Sequence, residues 1–150
     1  TTLCGLKHGE VLKAISEGIE SEGLRPRVYK VFHTADCGML GYEGARLSGS
    51  GIAIGLQSKG TAVIQRKGLA PLNNLELFSQ APLLSRDAYV RIGANAACHD
   101  KRQPPSPVPV KVDNMARLRL IVHAMLMHKR EIAAIRPGKT AVEMQVVHER

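Results

Sequence analysis

The stretch Ile52–Ile64, IAIGLQSKGTAVI, decides how the chain is read. Two short runs, Ile52–Leu56 and Thr61–Ile64, are rich in β-branched and aliphatic residues. Only Gln57-Ser58-Lys59-Gly60 separates them, and so short a link leaves room for a hairpin and not for a crossover helix. The pair is therefore expected to be antiparallel. Ser48-Gly49-Ser50-Gly51 just before it reads as a flexible break.

Upstream, Val11, Ile15 and Ile19 recur at four-residue spacing with Leu12 beside them, while Lys13, Glu17, Glu20 and Glu22 take other faces. This predicts an amphipathic helix from about His8 to Gly23, with Gly23 as its stop. The mostly apolar Thr2–Leu6 precedes it, and Arg27–Phe32 follows as a strand of β-branched and aromatic residues. Strand, helix, strand is the start of an α/β domain, so the hairpin is expected as an antiparallel member of an otherwise parallel, hence mixed, sheet. Between Thr34 and Arg46 the pattern is ambiguous, with Met39, Leu40 and Tyr42 able to form one face of a short helix.

Downstream, Gly68–Pro82 reads as a shaped loop framed by Pro71 and Pro82. A helix follows, with Ser85 as its cap, Asp87 at the positive end of the dipole and Ala88, Ile92 and Ala96 as its apolar stripe. Pro104, Pro105, Pro107 and Pro109 make an extended connector to a third helix over about Met115–Ile132, limited by Pro137-Gly138. Ala141–Val147 reads as an edge strand or a loose tail. At 150 residues the chain has the size of one domain, with residues 134–150 belonging to it or hanging from it as a loosely packed tail.

Composition narrows the function. A formal charge of +8 raises the prior for an acidic partner, nucleic acid or a membrane, but the cations are scattered and there are no Trp, three Tyr and two Phe for base stacking. Neither nucleic acid nor a membrane is expected as partner, and no apolar stretch approaches a bilayer span. Cys4, Cys37 and Cys98 are far apart and lack a C-x-x-C pair, which disfavours a disulfide framework or zinc site and suits a reducing cytoplasm.

Motifs for catalysis fail one after another. Gly49, Gly51 and Gly55 have the wrong spacing for a dinucleotide loop and precede a strand, and no Walker sequence surrounds Lys59. His123 and His128 are five apart, on different helix faces. Asp36, Glu43, Glu76, Asp87, Asp100 and Asp113 show no pairing that suggests acid/base work, and no Ser or Cys sits in a nucleophile elbow. Read from its residues alone, the chain is a binding or assembly domain, and Lys59 an exposed lysine at a hairpin tip.

Four segments carry a resemblance: Leu47–Thr61, Pro71–Leu84, Tyr89–Ala97, and Pro107–Pro109 leading to Asp113-Asn-Met-Ala-Arg117. They resemble the medium subunit of the adenosylcobalamin-dependent diol and glycerol dehydratases over about His8–Lys129. The resemblance implies a three-layer α/β/α fold with a mixed, mostly parallel sheet of about five strands, Rossmann-like and similar to anticodon-binding domains. It also implies that the chain covers the lower face of cobalamin while a TIM-barrel large subunit covers the reactive face, a small subunit completing the protomer. Such enzymes, dimers of heterotrimers, convert 1,2-diols or glycerol to aldehydes in the cytoplasm or in a bacterial microcompartment, and a reactivase can be a further partner.

The family's catalytic groups and metal belong to the large subunit, so no catalytic or metal-binding residue is expected here. Matched motif by motif, Asp36, Cys37, Lys59, Leu72, Asn74 and Arg117 fall at positions that meet cobalamin's side chains or nucleotide tail. Its amide arms and single phosphate suit such partners. The D-x-H-x-x-G motif that displaces the lower base is absent from the sequence, which implies base-on cobalamin. The chain departs from several family members at Ser79, where they have proline, and matches poorly beyond Arg130. A small subunit of a dehydratase reactivase, similar in fold, is the alternative reading.

Overall fold

The computed structural model describes residues 1–79, 81–109 and 116–144, with the backbone alone over 116–121. In chain order it has α1 (His8–Ser21), β1 (Val28–Lys30), α2 (Cys37–Leu47), β2 (Ile52–Leu56), β3 (Ala62–Arg66) and β4 (Glu76–Phe78). After a single 3₁₀ turn at Ala81–Leu83 come α3 (Arg86–Asp100), α4 (Ala116–Ala133) and β5 (Val142–Met144).

Local chemistry accounts for most of these boundaries. The Glu10 carboxylate accepts the Lys7 N–H at 3.1 Å and sits favourably in the first turn of α1. Gly23, at φ +82°, lies just past its end. The Asp36 carboxylate caps α2 by accepting the Met39 N–H at 3.0 Å, and Ser85 caps α3 by accepting the Ala88 N–H at 3.3 Å.

The hairpin stands as expected, with Ile54 opposite Ile64 and Leu56 opposite Ala62. The β4 strand adds to the other side of β3, also antiparallel. Alternation along β3 sorts the layers. Ala62 and Ile64 join Val11, Ala14 and Ile15 of α1 and Ala88, Tyr89, Ile92 and Ala96 of α3 in one buried cluster. Val63 and Gln65 point to the other face, where Gly41 of α2 lies so close that a methyl there would come within 2.8 Å of Val63 Cγ1. Helices thus cover both faces of a three-stranded sheet.

The expected mixed, mostly parallel, Rossmann-like sheet of about five strands is not formed. Among the described residues there are two small sheets, β2-β3-β4 and β1-β5, and every pairing is antiparallel. Two local events explain the difference. Thr2–Leu6 closes on itself, the Thr2 N–H donating to the Leu6 carbonyl at 2.8 Å with Gly5 at φ +90°, so no strand precedes α1. And β1 pairs with β5, Val28 opposite Met144, instead of entering the central sheet. Arg27 reinforces that remote pairing by an ion pair of 2.9 Å to Glu143.

The ambiguous Thr34–Arg46 region is helical from Cys37. β4 lies inside what reads as a loop, for Glu-Leu-Phe is too short to show alternation. In the expected strand and helix at 141–147 and 115–132, residues 145–147 and Met115 lie outside the described residues.

Helices α1 and α3 pack backbone to backbone. Gly18 sits against Val90 and Ala94, and Gly93 against Ile15. Gly93→Ala is therefore expected to destabilise the chain by about 1–3 kcal/mol through overpacking against main-chain atoms that cannot swing away. Gly9→Ala, in a first turn where an added methyl meets nothing within 4 Å, should be neutral or stabilising by up to about 1 kcal/mol. Urea unfolding of both variants checks the contrast.

Candidate functional site

The turn between β2 and β3 is closed internally by Gln57 N–H to the Thr61 carbonyl and Gly60 N–H to the Gln57 carbonyl, both 2.9 Å. Gly60 is at φ +110°, a backbone state that L side chains resist. Three successive tip carbonyls then bond outward, to three different parts of the chain. Ser58 O accepts from His8 Nε2 at 2.8 Å, which places the proton on that ring nitrogen. Lys59 O accepts the Leu3 N–H at 2.9 Å, and Gly60 O accepts the Tyr89 hydroxyl at 2.6 Å. The Ser58 hydroxyl donates to Glu131 of α4. The backbone under Lys59 is tethered through its three carbonyls, leaving the lysine side chain as the adaptable part.

Gln57 carries this order to the next element. Its buried amide donates to the Ala35 carbonyl at 2.8 Å, one residue before the α2 cap. Cys37, the first residue of α2, turns its thiol inward to the Gly55 and Thr61 carbonyls, each at 3.7 Å. Burial pushes that thiol up to about 12, the Asp36 charge adds to the shift, Lys59 opposes it and Glu131 adds again. All three charges are therefore close enough to Cys37 to be felt there.

Past Cys37, a methyl on Gly38 would come within 2.9 Å of the Pro71 carbonyl, so the Pro71–Asn74 turn lies against the start of α2. That turn is tied by Asn73 N–H to the Ala70 carbonyl at 2.9 Å, and Ala70 is in turn held by the buried Gln65 amide at 3.0 Å. Leu72 projects from it 93% exposed.

The structure thus places Asp36 and Cys37 at the N-terminal end of α2, joins the tip that bears Lys59 to it through Gln57, and sets the turn that carries Leu72 and Asn74 against it at Pro71. They differ in what they offer. Asp36 Oδ2 is engaged by the cap while Oδ1 accepts no hydrogen bond among the described residues. Cys37 is buried, its sulfur turned inward and its carbonyl set against Gly55 of β2. Lys59 is half-buried and makes no ion pair among the described residues. The backbone of Arg117 lies in the first turn of α4, and its side chain lies outside the described residues.

Beside Lys59 runs an apolar groove of ≈ 420 Å³, walled on the α4 side by Ala124, Met125, His128, Lys129 and Ile132. This wall was not legible in the sequence. Nor were His8, Tyr89 and Gln57 as supports of the tip, because contacts spanning 50 and 29 residues leave no periodic signal.

Candidate catalytic chemistry is sparse. His99 and Glu76 meet at 2.8 Å, but Asn95 joins them at 3.4 Å from Glu76 and continues to the Ser106 carbonyl at 2.7 Å. The group ties α3 to the β4 edge and to the proline connector. Among the described residues no cluster of three or more His, Cys, Asp or Glu can hold a metal, and no helix is long and apolar enough to cross a membrane.

The family described as dehydratase medium subunit matches residues 1–106, which include the hairpin, α2, the Pro71–Asn74 turn and α3. Among solved structures, a glycerol dehydratase reactivase is similar at 23% identity and a TM-score of 0.56, covering 69% of this chain and 89% of that one. A diol dehydratase-reactivating factor complexed with ADP and Mg2+ is similar at 22% identity and a TM-score of 0.54, covering 65% and 86%. At these identities the likeness is one of fold.

The Cys37 thiol gives a pH test of this packing. Because its folded value is raised, the thiol's contribution to stability is fully present below about pH 9 and is lost as pH rises toward about 12. Urea unfolding at about pH 7 and about pH 10.5 should show an alkaline loss of stability that is smaller in Cys37→Ala than in the unmodified chain. Equal losses in both would mean that Cys37 is not the buried group described.

Proposed function

The chain belongs to the dehydratase medium-subunit family, and we propose that it serves a diol or glycerol dehydratase by covering the lower face of base-on cobalamin. In this reading residues 1–150 form one domain that assembles with a TIM-barrel large subunit and a small subunit. The family is one of lyase-complex subunits; the catalytic groups are assigned to the large subunit, and this chain to binding and assembly in the cytoplasm or a microcompartment.

The residues present fit the group. Cobalamin offers amide arms that need donors and acceptors, one phosphate, and a broad apolar ring. At the start of α2 the chain offers a lysine without an ion-pair partner among the described residues, a carboxylate oxygen left over from a cap, the Asn74 amide and an almost fully exposed leucine. Lys59 would neutralise phosphate or donate to an amide arm, Asp36 and Asn74 would accept and donate, and Leu72 would lie against the ring. Cys37 and Arg117 are assigned to the same site by their motifs. When bound, adenosylcobalamin supplies radical chemistry on its upper face, remote from these side chains.

The observation that carries this reading is the tip beneath Lys59, whose three carbonyls are each hydrogen-bonded to a distant group. A group fixed before binding loses less conformational freedom when it binds, and so converts more of a contact into affinity. The small subunit of a reactivase is the second reading, favoured by the fold of the two solved structures. It differs in predicting exchange into a reactivase complex and no retained cobalamin in a complex with the dehydratase large subunit.

Lys59→Ala, reconstituted with large and small dehydratase subunits, is expected to weaken cobalamin binding about ten- to a hundredfold, as for loss of one charge-assisted contact of roughly 1.5–3 kcal/mol. The melting temperature of the free chain should hardly change. Unchanged affinity would return Lys59 to the role of a solvated turn lysine, and a large loss of free-chain stability would make it structural.

A further inference from the structure

We infer that Tyr89 is a positioning residue for Lys59: from the core of α3 its hydroxyl holds the Gly60 carbonyl and thereby sets where the lysine stands. This rests on the reading of Lys59 as a cofactor contact.

Tyr89 is wholly buried, within the cluster that joins α1, β3 and α3. Its ring would pack equally well as phenylalanine. The hydroxyl is the addition, and its hydrogen bond among the described residues is the 2.6 Å contact to Gly60 O. The turn is shaped to receive it. A Cβ at residue 60 would stand 2.5 Å from Tyr89 Oη and 3.2 Å from Thr2 Cβ, so only glycine admits the hydroxyl at this φ of +110°. Burial also pushes the phenol's ionisation upward, so it remains a proton donor at any physiological pH.

The other two carbonyl tethers are weaker levers. The Leu3 bond is main chain to main chain, and His8 is exposed, where water competes for the Ser58 carbonyl. Tyr89 is the dry anchor. It lies too deep to touch a ligand and acts through the backbone of residues 58–60.

Two measurements on Tyr89→Phe test this. In the free chain, amide hydrogen exchange at Gln57 and Gly60, whose N–H groups close the turn, should accelerate at least about tenfold relative to the amides of β3, because a locally opened tip loses its buried anchor. In the complex reconstituted with large and small subunits, titrated with cyanocobalamin, Tyr89→Phe should weaken binding about fivefold when Lys59 is present and less than about twofold in the Lys59→Ala background. Equal weakening in both backgrounds would show a general structural effect and overturn the proposal, as would an unaltered exchange rate at the tip.

If Lys59→Ala alone leaves cyanocobalamin affinity unchanged, the cofactor reading fails, while the exchange measurement still decides whether Tyr89 fixes the tip. Should Tyr89→Phe fold poorly, His8→Ala removes an exposed tether without touching the core. It is expected to loosen the tip less and to show the same dependence on Lys59.

Discussion

A four-residue turn with three main-chain carbonyls in succession bonded to distant groups is the constraint on which this molecule is organised. A polar backbone group taken out of water must find a partner or cost free energy comparable to a lost hydrogen bond. Here the partners come from the N-terminal segment, from the first residue of α1 and from the start of α3. Satisfying the turn therefore brings the ends of three elements to one place. The same turn passes order onward through Gln57 to Ala35 and so to the start of α2, where the candidate binding residues collect.

Glycine makes the arrangement possible at several depths. Contacts at Gly18 and Gly93 let α1 and α3 approach through their backbones, and Gly55 does the same for β2 beneath α2. Close approach replaces side-chain bulk in a chain with few aromatics, as dense packing demands. The glycines along Gly51–Gly60 serve a turn and a helix–sheet contact.

Much of this was legible in the sequence, and the reasons differ by element. The hairpin, α1 and α3 announce themselves through turn length, four-residue spacing and the Ser85 cap, all local signals. The sheet was misjudged because the partner of β1 is β5, more than a hundred residues away along the chain, and because Thr2–Leu6 is apolar without being extended. Lys59 could be placed at a hairpin tip from the sequence, and Asp36, Cys37, Leu72 and Asn74 could be named by resemblance. That these lie together, that Cys37 points inward, and that His8 and Tyr89 support the tip depend on tertiary contacts that no spacing encodes.

The central claim is that this chain binds and assembles while another subunit carries the chemistry. It is tested most directly by titrating the chain into dehydratase large and small subunits with adenosylcobalamin and propane-1,2-diol, following aldehyde formation. The expected result is no turnover by the chain alone, and activity that rises with added chain to saturation at one copy per large subunit. Turnover by the isolated chain, or full activity of the other two subunits without it, would contradict the claim.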